Sequence, residues 1–187
     1  FFLDHDIDTG RIIMQKEFPI PDNADVEYVY DGLMALGADI CIETVDAVIN
    51  NDGNVPSQPQ REDLPLKSAP KLFKETCLIN WNNEAKQVYD FVRGLSPVPG
   101  AWCEIVHNDE KPVVMKIFRT AKTDKPLTAK DQPGDICAEG QHLLIAAADK
   151  WLEIVELQLA GKKRMMAKDF LNGYDIKGKR VFMNFEF

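Results

Sequence analysis

The sequence has no long apolar run: nothing in its 187 residues approaches the ~18 consecutive apolar positions of a membrane-crossing helix, so no membrane partner is expected. Its four cysteines, Cys41, Cys77, Cys103 and Cys137, lie 36, 26 and 34 residues apart. That spacing excludes the close pairs of a zinc knuckle or a dithiol redox motif and fits reduced thiols in a cytoplasmic protein. Histidine is scarce, with three in the chain, and no His, Cys and carboxylate spacing predicts a metal site. Internal repeats and low-complexity tracts are missing. A starting Met is missing too: the chain opens at Phe1 inside an apolar run without a charged leader, and reads as a stretch whose N-terminal part has been left out.

Basic charge is scarce only in the first part. The net charge of −8 divides into residues 1–66, with 14 Asp and Glu against 3 Lys and Arg, and residues 67–187, with 16 against 19. The two parts differ in sign, so only the second is expected to meet a polyanion.

The most polar short stretch is the opening one. Asp4, His5, Asp6 and Asp8 precede Thr9-Gly10 and a strand-like run from Arg11 to Phe18. Asp, Thr and Gly are turn residues, since Asp bonds its own backbone and Gly takes positive φ. A hairpin of Phe1–Leu3 with Arg11–Phe18 is therefore expected, with Pro19 and Pro21 ending it. Asp22, Asn23 or Asp25 then caps a helix whose apolar positions, Val26, Val29, Leu33, Leu36, Ile40, Cys41, Val45 and Val48, recur at three and four residues. It should end between Asn50 and Gly53. A hairpin and one helix bury too little apolar surface to stand alone. Residues 1–50 are thus read as the last elements of an open α/β domain, whose uncovered helix would let the chain self-associate.

Four prolines, Pro56, Pro59, Pro65 and Pro70, mark residues 51–74 as a semi-extended linker. After it, Asn82 or Asn83 is expected to cap a helix through Val88, Phe91 and Val92 that ends at Gly94. Strand-like runs follow at 101–106, 112–120, 134–138, 142–147 and 151–159, with turns at 108–110 and 148–150. A short helix at 166–171 and a last strand at 180–187 complete residues 75–187. Five short strands with one helix suggest a small barrel, and an OB-like barrel is the natural choice. The fold class is α+β overall, a partial α/β piece (hairpin plus helix) followed by an OB-like β-barrel domain.

Several stretches carry a resemblance. Asp6-Ile7-Asp8-Thr9-Gly10 followed by Ile12-Ile13-Met14-Gln15 is similar to the folate-binding loop of the formyltetrahydrofolate-dependent formyltransferases. Ala69-Pro70-Lys71-Leu72-Phe73-Lys74-Glu75-Thr76 with Ile79-Asn80-Trp81, then Phe91 to Trp102, Gln158 to Met165 and Ala167 to Gly173, resemble in order the C-terminal part of the methionyl-tRNA formyltransferases. The resemblance runs over nearly all of the chain, and the order of its motifs separates this family from sibling formyltransferases.

The resemblance implies transfer of a formyl group from 10-formyltetrahydrofolate to the amino group of methionyl initiator tRNA. It assigns the catalytic carboxylate to Asp8 and the pterin-binding loop to Asp4, His5, Asp6 and Ile7. In the family an Asn and a His share the chemistry with that Asp. Their Asn-Xaa-His strand and a Ser-Leu-Leu-Pro loop do not occur in these 187 residues, so the chain by itself is expected to be inactive. His5 lies in the loop and is not read as a substitute.

The same resemblance turns the linker and the basic loop towards tRNA, through Lys67, Lys71, Lys74, Lys162, Lys163 and Arg164. Lys116, Arg119, Lys122, Lys125 and Lys130 can add positive charge to that domain. Trp102, Trp151 and Phe118 occupy alternating strand positions and are read as core more readily than as base-stacking residues. No DNA and no metal are expected, and the intact enzyme is expected to be a monomer. The alternative is a non-catalytic OB-fold module that binds RNA or a protein.

Overall fold

The computed structural model describes residues 1–7, 9–61, 67–107 and 111–181, which form two compact units, Phe1–Lys71 and Leu72–Phe187. The first unit is built around one helix, α1 (Val26–Asn50). Asp25 caps it, its carboxylate accepting from Tyr28 N at 3.0 Å, as expected where an N-cap oxygen meets an orphan backbone donor. Phe18 lies against the helix so closely that a side chain at Gly32 would overlap its ring. That contact accounts for a glycine in mid-helix, where it otherwise costs about 1 kcal/mol relative to alanine.

The opening hairpin does not form as a strand pair. Phe2 N donates to Arg11 O at 2.9 Å, but Ile12 pairs with Gln58, each backbone N–H donating to the other's carbonyl at 2.8 and 2.9 Å. An isolated two-stranded ribbon is marginal in water, and the extended segment takes its bonds from the proline-rich stretch instead. No residue of α1 is buried. Tyr30, Met34, Cys41, Val45 and Ile49 all lie exposed along it at helical spacing.

The second unit is a helix against a strongly curved antiparallel sheet. A 3₁₀ turn at Glu75–Cys77 leads to α2 (Ala85–Leu95). Then come β1 (Ala101–His107), β2 (Val113–Pro126), β3 (Ile136–Glu139), β4 (His142–Ala146), β5 (Lys150–Leu159), β6 (Met165–Met166), α3 (Ala167–Gly173) and β7 (Lys179–Val181). The strand order is β3-β4-β5-β2-β1-β7, with β6 beside β5. Val181 N donates to Gly134 O at 2.8 Å and Asp135 bridges Arg180, which brings the last strand back to the segment before β3. The sheet is therefore a nearly closed barrel, and closure removes most of its free edge.

Alternation places Ala101, Cys103 and Ile105 of β1 and Met115 and Ile117 of β2 in one core with Leu143, Ile145, Leu152 and Ile154. One face of α2, Val88, Val92 and Leu95, joins them. Burial pushes the Cys103 thiol up to about 12, because desolvation disfavours the thiolate.

The ends of α2 differ from the sequence reading. Neither Asn82 nor Asn83 caps it; Gln87 Oε1 accepts from Glu84 N at 3.1 Å, and Asp149, from the β4–β5 turn, accepts from Ala85 N at 2.7 Å. The helix runs through Gly94 to Leu95. The left-handed glycine that turns the chain is Gly100 (φ +85°), whose N–H donates to Leu95 O at 2.8 Å. The β1–β2 turn at 108–110 and the expected strand beyond Val181 lie outside the described residues.

Candidate functional site

In the first unit, the opening loop is tied at its base. Thr9 Oγ1 donates to Asp6 O at 3.1 Å and His5 N to Asp4 Oδ1 at 2.8 Å. Gly10 is buried, and a side chain there would overlap the Phe2 carbonyl. Gln60 Nε2 donates to Gly10 O at 2.9 Å, while Arg11 reaches Ser57 O at 2.6 Å and Ser57 Oγ at 3.0 Å. Asp4, His5, Asp6 and Ile7 are exposed on this tied loop. Asp8 lies outside the described residues.

Lys67 and Lys71 of this unit are exposed. Among the described residues, no group of His, Cys, Asp and Glu could hold a metal ion, and no helix is long and apolar enough to cross a membrane.

The second unit carries a row of one aromatic and two polar side chains on the outer face of its sheet. Trp102 of β1 is paired with Lys116 of β2, and Lys116 with Gln158 of β5. Directly opposite residues in a ladder point to the same side, so the three form one line across three adjacent strands, each half-buried. Their neighbours Cys103, Met115, Leu157 and Leu159 face the core. Trp102 is held by its indole N–H, which donates to Lys74 O at 2.8 Å, and the Lys74 ammonium stands 5.4 Å from the ring centre. Lys116 Nζ donates to Pro99 O at 3.0 Å.

The basic loop leaves the end of this row. Gly161 (φ +74°) makes the turn, Lys162 N donates to Leu159 O at 3.0 Å, and Gln158 Nε2 donates to Lys162 O at 2.8 Å. Lys162 and Lys163 are exposed. Arg164 is engaged differently: its guanidinium bonds both carboxylate oxygens of Glu156 and lies 4.2 Å from the Phe118 ring centre. That guanidinium holds the Glu156 carboxyl below its ordinary range.

Other cations lie elsewhere: Lys122 stands over Tyr89, and Lys125 pairs with Glu139 over Trp151. Trp151 and Phe118 are buried, as read from alternation, but Trp102 is on the outside. The signal for it was available, because Ala101, Cys103 and Ile105 claim the inward phase of the strand and leave Trp102 the outward one.

The chain matches the family described as formyl transferase, C-terminal domain, over residues 71–175. It is 47% identical over 180 residues to a methionyl-tRNA formyltransferase of Bacteroides fragilis, covering 94% of this chain and 54% of that protein. Identity is 48% over 179 residues to the one of Phocaeicola vulgatus and 34% over 178 residues to the one of Porphyromonas gingivalis, each covering 93% of this chain and 54% of the relative. The chain thus spans about half the length of the curated relatives it matches. Among solved structures, HypX from Aquifex aeolicus in complex with tetrahydrofolic acid superposes with a TM-score of 0.58 at 19% identity. The match covers 94% of this chain and 29% of that one, a likeness of fold alone.

Proposed function

This chain belongs to the formyltransferase family, and on that premise we propose that it serves the transfer of a formyl group from 10-formyltetrahydrofolate to the amino group of methionyl initiator tRNA in the cytoplasm. The second unit, read as an OB-like domain, holds the tRNA. The observation that carries this role is the outward row of Trp102, Lys116 and Gln158, with Lys74 at one end and Lys162 and Lys163 at the other. One cation within the row and lysines at both of its ends, beside an aromatic ring, suit a phosphate backbone, whose contacts give affinity and a steep salt dependence.

The first unit contributes the loop from Asp4 to Ile7 to the pterin and Asp8 to the chemistry. Acyl transfer to an amine needs a stabilised oxyanion and a base for the departing proton. A carboxylate at Asp8 would orient an imidazole and favour its charged form, as an opposite charge within ~4–6 Å does. The Asn and His that complete such a site are not among these residues, so the chain alone binds tRNA without turning it over.

The test is a formylation assay with labelled 10-formyltetrahydrofolate and methionyl-tRNA, run beside a tRNA-binding assay on the same preparation. Binding without turnover is expected. Turnover by the chain alone would overturn the assignment of the missing Asn and His, and absence of binding at low salt would overturn the role of the second unit.

A further inference from the structure

Beside the outward row lies a small groove, formed where Lys74 and the start of the basic loop meet β2. Its apolar lining is Val114, Ala160 and Gly161 beside Leu159, whose side chain turns to the core, and its polar lining is Lys74, Lys116 and Gln158. Its volume is about 320 Å³, at the small end of the roughly 300–1,000 Å³ typical of small-molecule sites, so it has room for one nucleotide and not for a run of them. We propose that this groove holds a single unpaired nucleotide of the bound RNA, its base on the apolar lining and its phosphates at Lys74 and Lys116. The proposal rests on the reading that this face meets tRNA.

Three features favour a nucleotide. The apolar lining is continuous, because Ala160 N donates to Val114 O at 2.9 Å and so lays the end of β5 flat beside β2. A flat apolar surface is what a base face needs, and such contact is indifferent to which base is offered. Two lysines, Lys74 and Lys116, line the groove together with apolar residues, which suits an anion attached to an apolar ring. Each is already oriented, Lys116 by Pro99 O and Lys74 by the Trp102 ring. Gln158 uses its amide N–H on Lys162 O, which leaves its carbonyl oxygen to accept from a base N–H. Glu104, opposite Val114 on β1, does not line the groove. A duplex would present phosphates to the lysines but could not lower a base into the groove.

The experiment measures binding of the 187-residue chain to a fluorescent single-stranded oligouridylate of about eight nucleotides, within the site sizes of small single-strand-binding domains. An RNA duplex of equal charge is the comparison. Ala160 is exposed, so A160F fills the groove from its open edge without entering the core. K116Q keeps the backbone and removes one of the two lysine charges, and serves as the second variant should A160F unfold.

A160F is expected to weaken the single strand about tenfold, the effect of losing one stacked base, and to leave the duplex unchanged. K116Q is expected to weaken the single strand more than the duplex. If both variants weaken single strand and duplex equally, or neither changes the single strand while duplex and tRNA still bind, the groove proposal fails and the tRNA reading stands. If neither RNA nor whole tRNA binds at low salt, both fail.

Discussion

Arg164 closes on Glu156 with two parallel hydrogen bonds, Nε to Oε1 at 2.7 Å and Nη2 to Oε2 at 2.8 Å, across the turn that carries the basic loop. The pair fixes the return of the chain from β5 to β6, with the guanidinium capping the buried Phe118 ring. A charge engaged this way is a poor phosphate ligand. On the proposed function, Arg164 would therefore support the basic loop, and the exposed Lys162 and Lys163 would meet the phosphates. We predict that R164A lowers stability by about 1 kcal/mol or less, since the guanidinium is 41% exposed and solvent screens such pairs. The Glu156 carboxyl is depressed by Arg164, so the pair's contribution is present above the ordinary carboxylate value of 4.5 and is lost as pH falls through the depressed one. Wild type and R164A should converge in denaturation midpoint at acid pH. A difference that persists there would refute the ion-pair account.

His142 Nδ1 lies 2.6 Å from Glu153 Oε1 on the adjacent strand, and this bond raises its pKa from the ordinary 6.5. A raised value means that the favourable pairing is complete below pH 6.5 and is lost as pH climbs through the folded-state value. The His142 ring resonances followed by NMR should titrate above 6.5, and E153Q should bring the midpoint down. An unchanged midpoint in E153Q would show that the pair is not the cause.

Asp149 reaches from the β4–β5 turn to the first N–H of α2, and Ala148 N donates to Asn83 O at 3.0 Å beside it. The turn is thereby a remote cap. D149A should cost about 0.5–2 kcal/mol in urea unfolding, the range of lost N-caps, whereas D149N should cost less because its amide oxygen still accepts. Equal losses would mean that charge at the helix N-terminus and not the hydrogen bond matters.

These particulars show what was legible in the sequence. Period-two alternation located β1, β4 and β5 nearly to the residue, since one face of each strand has to bury. The helix α1 was legible from its apolar stripe and its Asp25 cap. The opening hairpin was not, because strand-like composition says nothing about which segment supplies the partner, and Gln58 lies 46 residues away from Ile12. The Asp149 part of the α2 cap was hidden for the same reason, lying 64 residues from Ala85, whereas the Glu84–Gln87 part is local and was legible as a capping box. In the candidate site, Lys162 and Lys163 were visible as a charge run, but Arg164 looked like one more member. Only its distance to Glu156 separates it.

The exposed stripe of α1, Tyr30, Met34, Val45 and Ile49, is a large apolar surface of the kind that drives association. We predict that the chain self-associates as its concentration rises, and that M34E with V45E suppresses this without loss of helix content. Sedimentation measures the first and far-ultraviolet circular dichroism the second. A wild-type chain that stays monomeric at high concentration would contradict the prediction.

The most direct test of the central claim is the affinity of initiator tRNA across a salt series for the wild type, for K74A with K116A, for K162A with K163A, and for R164A. The account predicts that affinity falls linearly in log–log form and that each lysine pair flattens the slope by about 2, one for each phosphate that is no longer neutralised. R164A should leave the slope nearly as it was. Binding that is independent of salt, or a slope that R164A flattens while both lysine pairs leave it untouched, would contradict the assignment of this sheet face to tRNA.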